Sequence, residues 1–345
     1  MIYLDNSATS EISKEALNTS SVDLFKEMSE QDLKKFKMRI KELLGTDLEP
    51  IITSGSSEAN NLAIKGICSR SSKKEIITTH LEHSSINETL KYLETIGFTV
   101  RYIPIKDTVL DLEELPNMIN SNTALITVCL VNSETGTLNN INKIGEIAHE
   151  HGVVFHSDLT QGIGKIPISL ANVDLASISS HKFHGPKGVG VLLKNKSINL
   201  TPLIYGKRSY NLGIVKGMIK ALEISLNRID ANYRKVEELK CYFKKNIKYL
   251  PDIIINESKE NIPHILNISV LKYKPETFLH YLEMYDIYIS TKSACSSGDY
   301  SEAVLAITND MKRAETSVRI SISEENSKQQ LDKVIELIKR SEHGK

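Results

Sequence analysis

No stretch of this 345-residue chain approaches the roughly 20 uninterrupted apolar residues that a membrane-spanning helix needs. Its opening, Met1-Ile2-Tyr3-Leu4-Asp5-Asn6, lacks the basic-then-apolar pattern of a secretory leader. Net charge is missing as well. Forty-three basic residues balance forty-three acidic ones, so no global field points to nucleic acid, an anionic membrane surface or a polyanionic partner. Cysteine is scarce. Cys68, Cys129, Cys241 and Cys295 lie far apart, without the paired spacing of a structural zinc site or a dense disulfide framework. The expectation is a soluble, cytoplasmic protein in a reducing compartment that contacts neither nucleic acid nor membrane.

What the chain does have is enough apolar content, 40%, to bury a large core, and a length that suggests a large domain with a smaller companion. Between Ile51 and Leu193, short β-branched runs alternate with helical patterns, which predicts an α/β layer around a mainly parallel central sheet. The expected strands are Glu75 to Thr79, Ala124 to Val131, Val153 to His156, Asp174 to Ser179 and Gly188 to Leu193. Their continuous apolar character predicts burial on both faces. Ser84 to Ile96 and Ile141 to His151 read as crossover helices closed by Gly97 and Gly152. After Gly213, apolar residues at steps of three, four or seven as far as Leu250 predict one long amphipathic helix. Strands near Ile265 to Leu271 and Thr316 to Ile322 follow, with helices near Glu276 to Tyr285 and Glu324 to Arg340. The domains expected are a large one over residues 12–230 and a small one built from residues 1–11 and 231–345.

Chemistry concentrates around Ser177-Ile178-Ser179-Ser180-His181-Lys182, where a strand ends in small polar residues and a lysine, with a glycine-rich stretch after it. An amine that attacks an aldehyde has to be partly neutral, and desolvation beside another cation moves a lysine that way. The flanking serines and His181 offer donors to an anion such as phosphate. Taken alone, Lys182 reads equally well as a solvated loop lysine. Upstream, Asp158 directly follows an apolar strand, where strand ends of open α/β sheets form a ligand crevice. A carboxylate there suits the pyridine nitrogen of an electron-sink cofactor. In Thr53-Ser54-Gly55-Ser56-Ser57-Glu58, a small-residue turn opens a helix whose first amides favour a phosphate, although an ordinary helix cap explains it too. His80 and His83 have only a superficial metal spacing, with no third ligand, and no metal site is expected.

Together these segments resemble the cysteine desulfurases, fold-type I pyridoxal-phosphate enzymes of the class V aminotransferase group. The resemblance is carried in order by Tyr3-Leu4-Asp5-Asn6-Ser7-Ala8-Thr9, Thr53 to Gly66, Glu82-His83, Val131-Asn132-Ser133-Glu134-Thr135-Gly136, Asp158-Leu159-Thr160-Gln161 and Ser179-Ser180-His181-Lys182. It implies pyridoxal 5'-phosphate bound covalently to Lys182, with Asp158 at the pyridine nitrogen, Gln161 at the phenolic oxygen and His83 stacked on the ring. Ser56, Ser57, Ser179 and His181 would hold the phosphate. Asn132 and Arg319 would take the carboxylate of L-cysteine, and Cys295, in Ser293-Ala294-Cys295-Ser296-Ser297-Gly298, would accept its sulfur as a persulfide, leaving L-alanine. A homodimer and a sulfur-accepting or scaffold protein are implied as partners, and iron-sulfur cluster assembly as the setting. The rival expectations are a related lyase or aminotransferase, and a weakly active or non-catalytic member that serves a partner.

Two family segments are reduced here. Glu11 to Gly45 is a short, charged, helix-like run where the family has a longer one bearing Gly-Asn-Pro-Ser-Ser. The family's Arg-x-Gly-Thr motif, whose threonine reaches the neighbouring subunit's phosphate, has shrunk to Tyr205 to Gly213.

Overall fold

The computed structural model describes residues 1–206, 208–291 and 299–342. Its centre is a seven-stranded sheet in the order Glu49–Thr53, Gly190–Lys194, Leu175–Ser179, Val154–Asp158, Thr123–Thr127, Glu75–Thr78, Thr99–Tyr102. Gly190–Lys194 runs antiparallel to both of its neighbours and the remaining pairs are parallel. The expected α/β architecture around a mainly parallel sheet is therefore present. Alternate residues of each strand enter separate cores. Ile77, Ile126, Phe155, Ala176 and Val191 pack on one face, and Ile76, Leu125, Leu175 and Leu192 on the other. Burial on both faces is what turns these strands into uninterrupted apolar runs in the sequence.

Caps set the crossover helices. Asn140 Oδ1 accepts from Lys143 N at 3.1 Å and starts Ile141–Glu150, while Gly152, at φ +62°, turns the chain into the next strand. Gly97, at φ +90°, does the same after Ser84–Thr95. Both positions lie in the left-handed region that glycine enters without strain. The N-terminal charged run forms two helices, Lys14–Val22 and Glu30–Leu44, the second opened by a Ser29/Asp32 capping box.

A separate core unites Ile2 and Leu4 with Val236, Phe243, Ile268, Ile320, Leu331 and Ile338. Its sheet is antiparallel, in the order Ile253–Asn256, Ile265–Val270, Ser317–Ser321, and Ile2–Tyr3 pairs parallel with Ile287–Tyr288 beside it. The single long helix expected after Gly213 is in fact two, Leu212–Asn227 and Ile229–Ile247, broken at Arg228. Val215, Met218 and Leu222 of the first belong to the large core, and Val236 and Phe243 of the second belong to the small one. One straight helix cannot aim its apolar stripe at both. The closing helix starts at Lys328, later than the periodicity suggested, because Asn326 folds back to accept from Ser323 N at 2.9 Å. Among the described residues no helix is long and apolar enough to cross a membrane.

Candidate active site

The parallel strands end on one edge of the sheet, and the residues just beyond those ends form a cleft lined by Ser56, His83, Asp158, Gln161 and Lys182, with Ser133 on its wall. Asp158 is the last residue of its strand. Asn60 Nδ2 donates to its Oδ2 at 2.7 Å and the Thr160 amide to its Oδ1 at 2.9 Å. Only 5% of the residue is exposed. The carboxylate is thus fixed in place by two donors before anything binds.

Lys182 closes the short 3₁₀ turn Ser180–Lys182 after the neighbouring strand. Its Nζ donates to the carbonyls of Ser7 and Ala8 at 2.5 and 2.6 Å. Desolvation in the cleft, with Arg319 and Lys165 as nearby cations, brings its pKa down to about 7 against the opposing pull of Asp5 and Asp158. At neutral pH a large share of this amine is an unprotonated nucleophile. Gln161 Nε2 donates to the same Ser7 carbonyl at 2.9 Å, and Lys165 Nζ donates to Gln161 Oε1 at 3.1 Å.

His83 caps the helix Ser84–Thr95, its Nδ1 accepting from the Ser85 amide at 3.1 Å. Its imidazole is held in the cleft, and burial pushes its pKa below the usual histidine range. His80 turns elsewhere and stacks on Tyr102 with ring centres 4.1 Å apart. Ser56 and Ser57 are the first residues of the helix Ser56–Cys68, and Gly55 before them supplies no side-chain cap. The start of that helix thus has no side-chain cap among the described residues, and its first residue, Ser56, lines the cleft. Gly190 lets this turn approach the sheet. A Cβ there would fall 2.7 Å from Gly55 Cα and 2.5 Å from the Ile178 carbonyl. A Cβ on Gly55 would meet Ser179 Oγ at 3.4 Å, so Ser179 borders the same turn. His181 sits beside Thr9 Oγ1 at 3.1 Å, its pKa pushed down to about 4 by desolvation and then by Lys182.

Arg319 is 3% exposed and donates to the Ser133 carbonyl at 2.9 Å and to Asp5 Oδ1 at 2.7 Å, while its buried Nε has no partner among the described residues. Asn132, expected to bind the substrate carboxylate, has its amide engaged within the protein. Its oxygen accepts from the Glu134 amide and from both the amide and hydroxyl of Thr135, and its nitrogen donates to the Leu81 carbonyl at 2.8 Å. Cys295 lies outside the described residues. Ser290, a few residues before it, is tied to the site by paired backbone bonds with Arg319 and by a hydroxyl bond to Asp5 at 2.7 Å.

Several working residues were not singled out from the sequence. Asn60 stands inside a quoted motif, but nothing in its spacing says that it holds Asp158. The Ser7 and Ala8 carbonyls carry no side-chain signature at all. Lys165, four residues after Gln161, is the one that helical spacing would have found. Glu82 is another. Its buried carboxyl accepts from the Cys129 amide at 2.9 and 3.1 Å and from Thr79 Oγ1 at 3.0 Å, pinning the turn that carries His83.

A lysine amine poised near neutrality, a carboxylate fixed by two donors, an uncapped helix start and a buried guanidinium suit a ligand with an aldehyde, a basic ring nitrogen and anionic groups. The aminotransferase class-V family model matches residues 2–209 and 209–334. A cysteine desulfurase IscS of Dictyoglomus turgidum is 32% identical over 369 residues, covering 98% of this chain and 94% of that protein. The chain belongs to the cysteine desulfurase family. A second member, the cysteine desulfurase IscS of Buchnera aphidicola, is 34% identical over 378 residues, spanning 99% of this chain and 93% of its own length. Among solved structures, one titled NifS-like protein superposes with a TM-score of 0.91 at 28% identity, covering 99% of this chain and 98% of that one. The cysteine desulfurase likeness thus extends through both cores, including the antiparallel sheet that carries Arg319, and the fold is that of the fold-type I enzymes.

Proposed function

We propose that the chain is a pyridoxal 5'-phosphate-dependent cysteine desulfurase that converts L-cysteine to L-alanine and keeps the sulfur as a persulfide on Cys295. The observation that carries this reading is the pairing, in one cleft, of Lys182 with a pKa near 7 and Asp158 locked by Asn60 and Thr160.

The donor set fits the cofactor. The amides at the start of Ser56–Cys68, the Ser179 hydroxyl and His181 suit its phosphate; Asp158 suits a protonated ring nitrogen; Gln161 suits the phenolic oxygen. When bound, pyridoxal phosphate supplies an aldehyde that condenses with amines and a ring that draws electrons from the attached carbon. Lys182 Nζ would hold that aldehyde and, as a free amine, would move a proton at the substrate Cα, and Asp158 would pair with the protonated ring nitrogen. Arg319, bonded to the carbonyl of Ser133 on the cleft wall, is the guanidinium that suits the substrate carboxylate. The Cys295 thiolate attacks the substrate sulfur, whose bond to Cβ breaks. The sum is L-cysteine plus a thiol giving L-alanine plus a persulfide, with every atom accounted for.

The same reading includes a homodimer and transfer of the persulfide sulfur to an acceptor or scaffold protein. Cys68, Cys129 and Cys241 are free thiols, which suits a reducing compartment such as the cytoplasm. The deciding experiment incubates purified protein, loaded with cofactor, with L-cysteine and a thiol reductant while alanine and sulfide are measured together. Equal yields of both, lost in Lys182→Ala, are expected. Pyruvate or a keto acid in place of alanine would move the chain to the lyases or aminotransferases.

A further inference from the structure

Gln161 and Lys182 share one acceptor, the Ser7 carbonyl, and the other end of the Gln161 amide faces Lys165. An ammonium group only donates. Gln161 is therefore confined to one orientation, with its oxygen toward Lys165 and its NH₂ toward Ser7 and Lys182. Flipping it would set donor against donor at one end and carbonyl against carbonyl at the other.

The backbone is shaped to bring Lys165 there. Leu159 to Lys165 forms a tight turn, with Gly162 N bonded to Leu159 O and Lys165 N to Gly162 O. Gly164 sits at φ +73°, where a Cβ would fall 2.8 Å from Ser225 Cβ. Only glycine suits that position. Beyond the turn, Lys165 and Lys182 also line a second small cavity, shared with Asn6, His264 and Glu324, at the seam between the two cores.

We propose that Lys165 is a positioning residue of this site: it holds Gln161 with its N–H groups toward the cofactor's phenolic oxygen, and its ammonium disfavours a second ammonium at Lys182. The proposal rests on reading the cleft as a pyridoxal-phosphate site. The charged surroundings are consistent with it. Desolvation brings Lys165 down to about 8, with Glu324 favouring its charge and Arg319 opposing it, so it is mostly cationic at neutral pH. Lys182 faces Arg319 and Lys165 as cations and Asp5 and Asp158 as anions, and has the lower pKa of the two lysines. His181 and His264 also feel Lys165, and burial already holds both below the usual histidine range. They add no competing positive charge.

The test compares wild type, Lys165→Met and Lys165→Arg. In the cofactor-free proteins, trace acetylation between pH 5.5 and 10, read by mass spectrometry on the Lys182 peptide against an exposed reference lysine, gives the titration of Lys182. Lys165→Met is expected to move it up by about one pH unit, the low end of the effect of a close charge. Pyridoxal phosphate titrated by absorbance is expected to bind about tenfold more weakly to Lys165→Met, the value of one mispositioned charge-linked hydrogen bond. Lys165→Arg, which keeps the charge and donates only, is expected to restore both to within about twofold. An unchanged Lys182 titration in Lys165→Met would overturn the proposal, as would an arginine variant as impaired as the methionine one, which would reduce Lys165 to packing. If borohydride fixed no pyridoxyl group on Lys182 of the wild type, the cofactor reading itself would fall, while the acetylation profiles would still decide the coupling of the two lysines.

Discussion

A lysine that captures an aldehyde works as the neutral amine, so under the proposed function the acidity of Lys182 sets the pH range over which the apoprotein takes up cofactor. The rate of pyridoxal phosphate capture, followed by stopped-flow absorbance, is expected to rise through about pH 7 and flatten by about pH 8.5. A solvated lysine would keep accelerating toward its ordinary pKa near 10.4, and a profile of that kind would refute the assignment. In the proposed reaction Cys295 has the complementary role of sulfur acceptor. Cys295→Ala is expected to bind L-cysteine and change the cofactor spectrum as wild type does, because Lys182 and Arg319 are intact, yet to lose sulfide production by at least about 100-fold. Alanine offers no polarizable nucleophile. Mass spectrometry of wild type after limited L-cysteine is expected to find one added sulfur on the Cys295 peptide; desulfuration at the wild-type rate by the alanine variant would remove Cys295 from the reaction.

Glu82 joins the turn bearing His83 to the end of the strand Thr123–Thr127 through the Cys129 amide. Burial raises this carboxyl from 4.5 to about 8, with Asp158 adding to the effect and the Cys129 and Thr79 bonds opposing it. The folded state thus holds a proton that the unfolded chain releases near pH 4.5. Its stabilising contribution is full below that pH and is lost as pH rises through about 8, a swing on the order of a few kcal/mol. Glu82→Gln, which is neutral at every pH, is expected to flatten the fall in urea midpoint between pH 5 and 8; parallel curves for the two proteins would contradict the assignment. This clamp also shows what a sequence conveys about elements. The strands Glu75–Thr78, Thr123–Thr127, Val154–Asp158 and Leu175–Ser179 were legible because burial on both faces leaves apolar runs. The direction of Gly190–Lys194 was not, since a run of apolar residues reads the same either way. Periodicity also carried across the break at Arg228, because the helices on both sides are amphipathic and no proline or glycine marks the join. At the site, side chains with a chemical signature such as Lys182 and Asp158 stood out, whereas acceptors supplied by peptide carbonyls have no letter in the sequence.

At the scale of the whole molecule, the two cores are bound together by the segment Ile2 to Ser10. Ile2 and Leu4 lie in the small core, Asp5 pairs with Arg319, and Ser7, Ala8 and Ser10 bond to Lys182 and His181 at the end of the large sheet. Under the proposed homodimer, light scattering at micromolar concentration is expected to give twice the 38.7 kDa chain mass, obligate interfaces commonly burying more than about 2,000 Å²; a monomer would contradict this. The same segment constrains the order of folding. Tyr3 is bonded to Asn326 across 323 positions, Asp5 to Arg319 across 314, and Ser7 to Lys182 across 175. During synthesis, residues 2–10 leave the ribosome long before those partners exist. All strands of the large sheet are complete by Lys194, so that sheet has what it needs to form first, while the segment whose carbonyls meet Lys182 gains its anchors at Arg319 and Asn326 only when nearly the whole chain has been made. Closing such long loops is slow, so a nascent chain carries its lysine-bearing strand well before the groove around that lysine is complete.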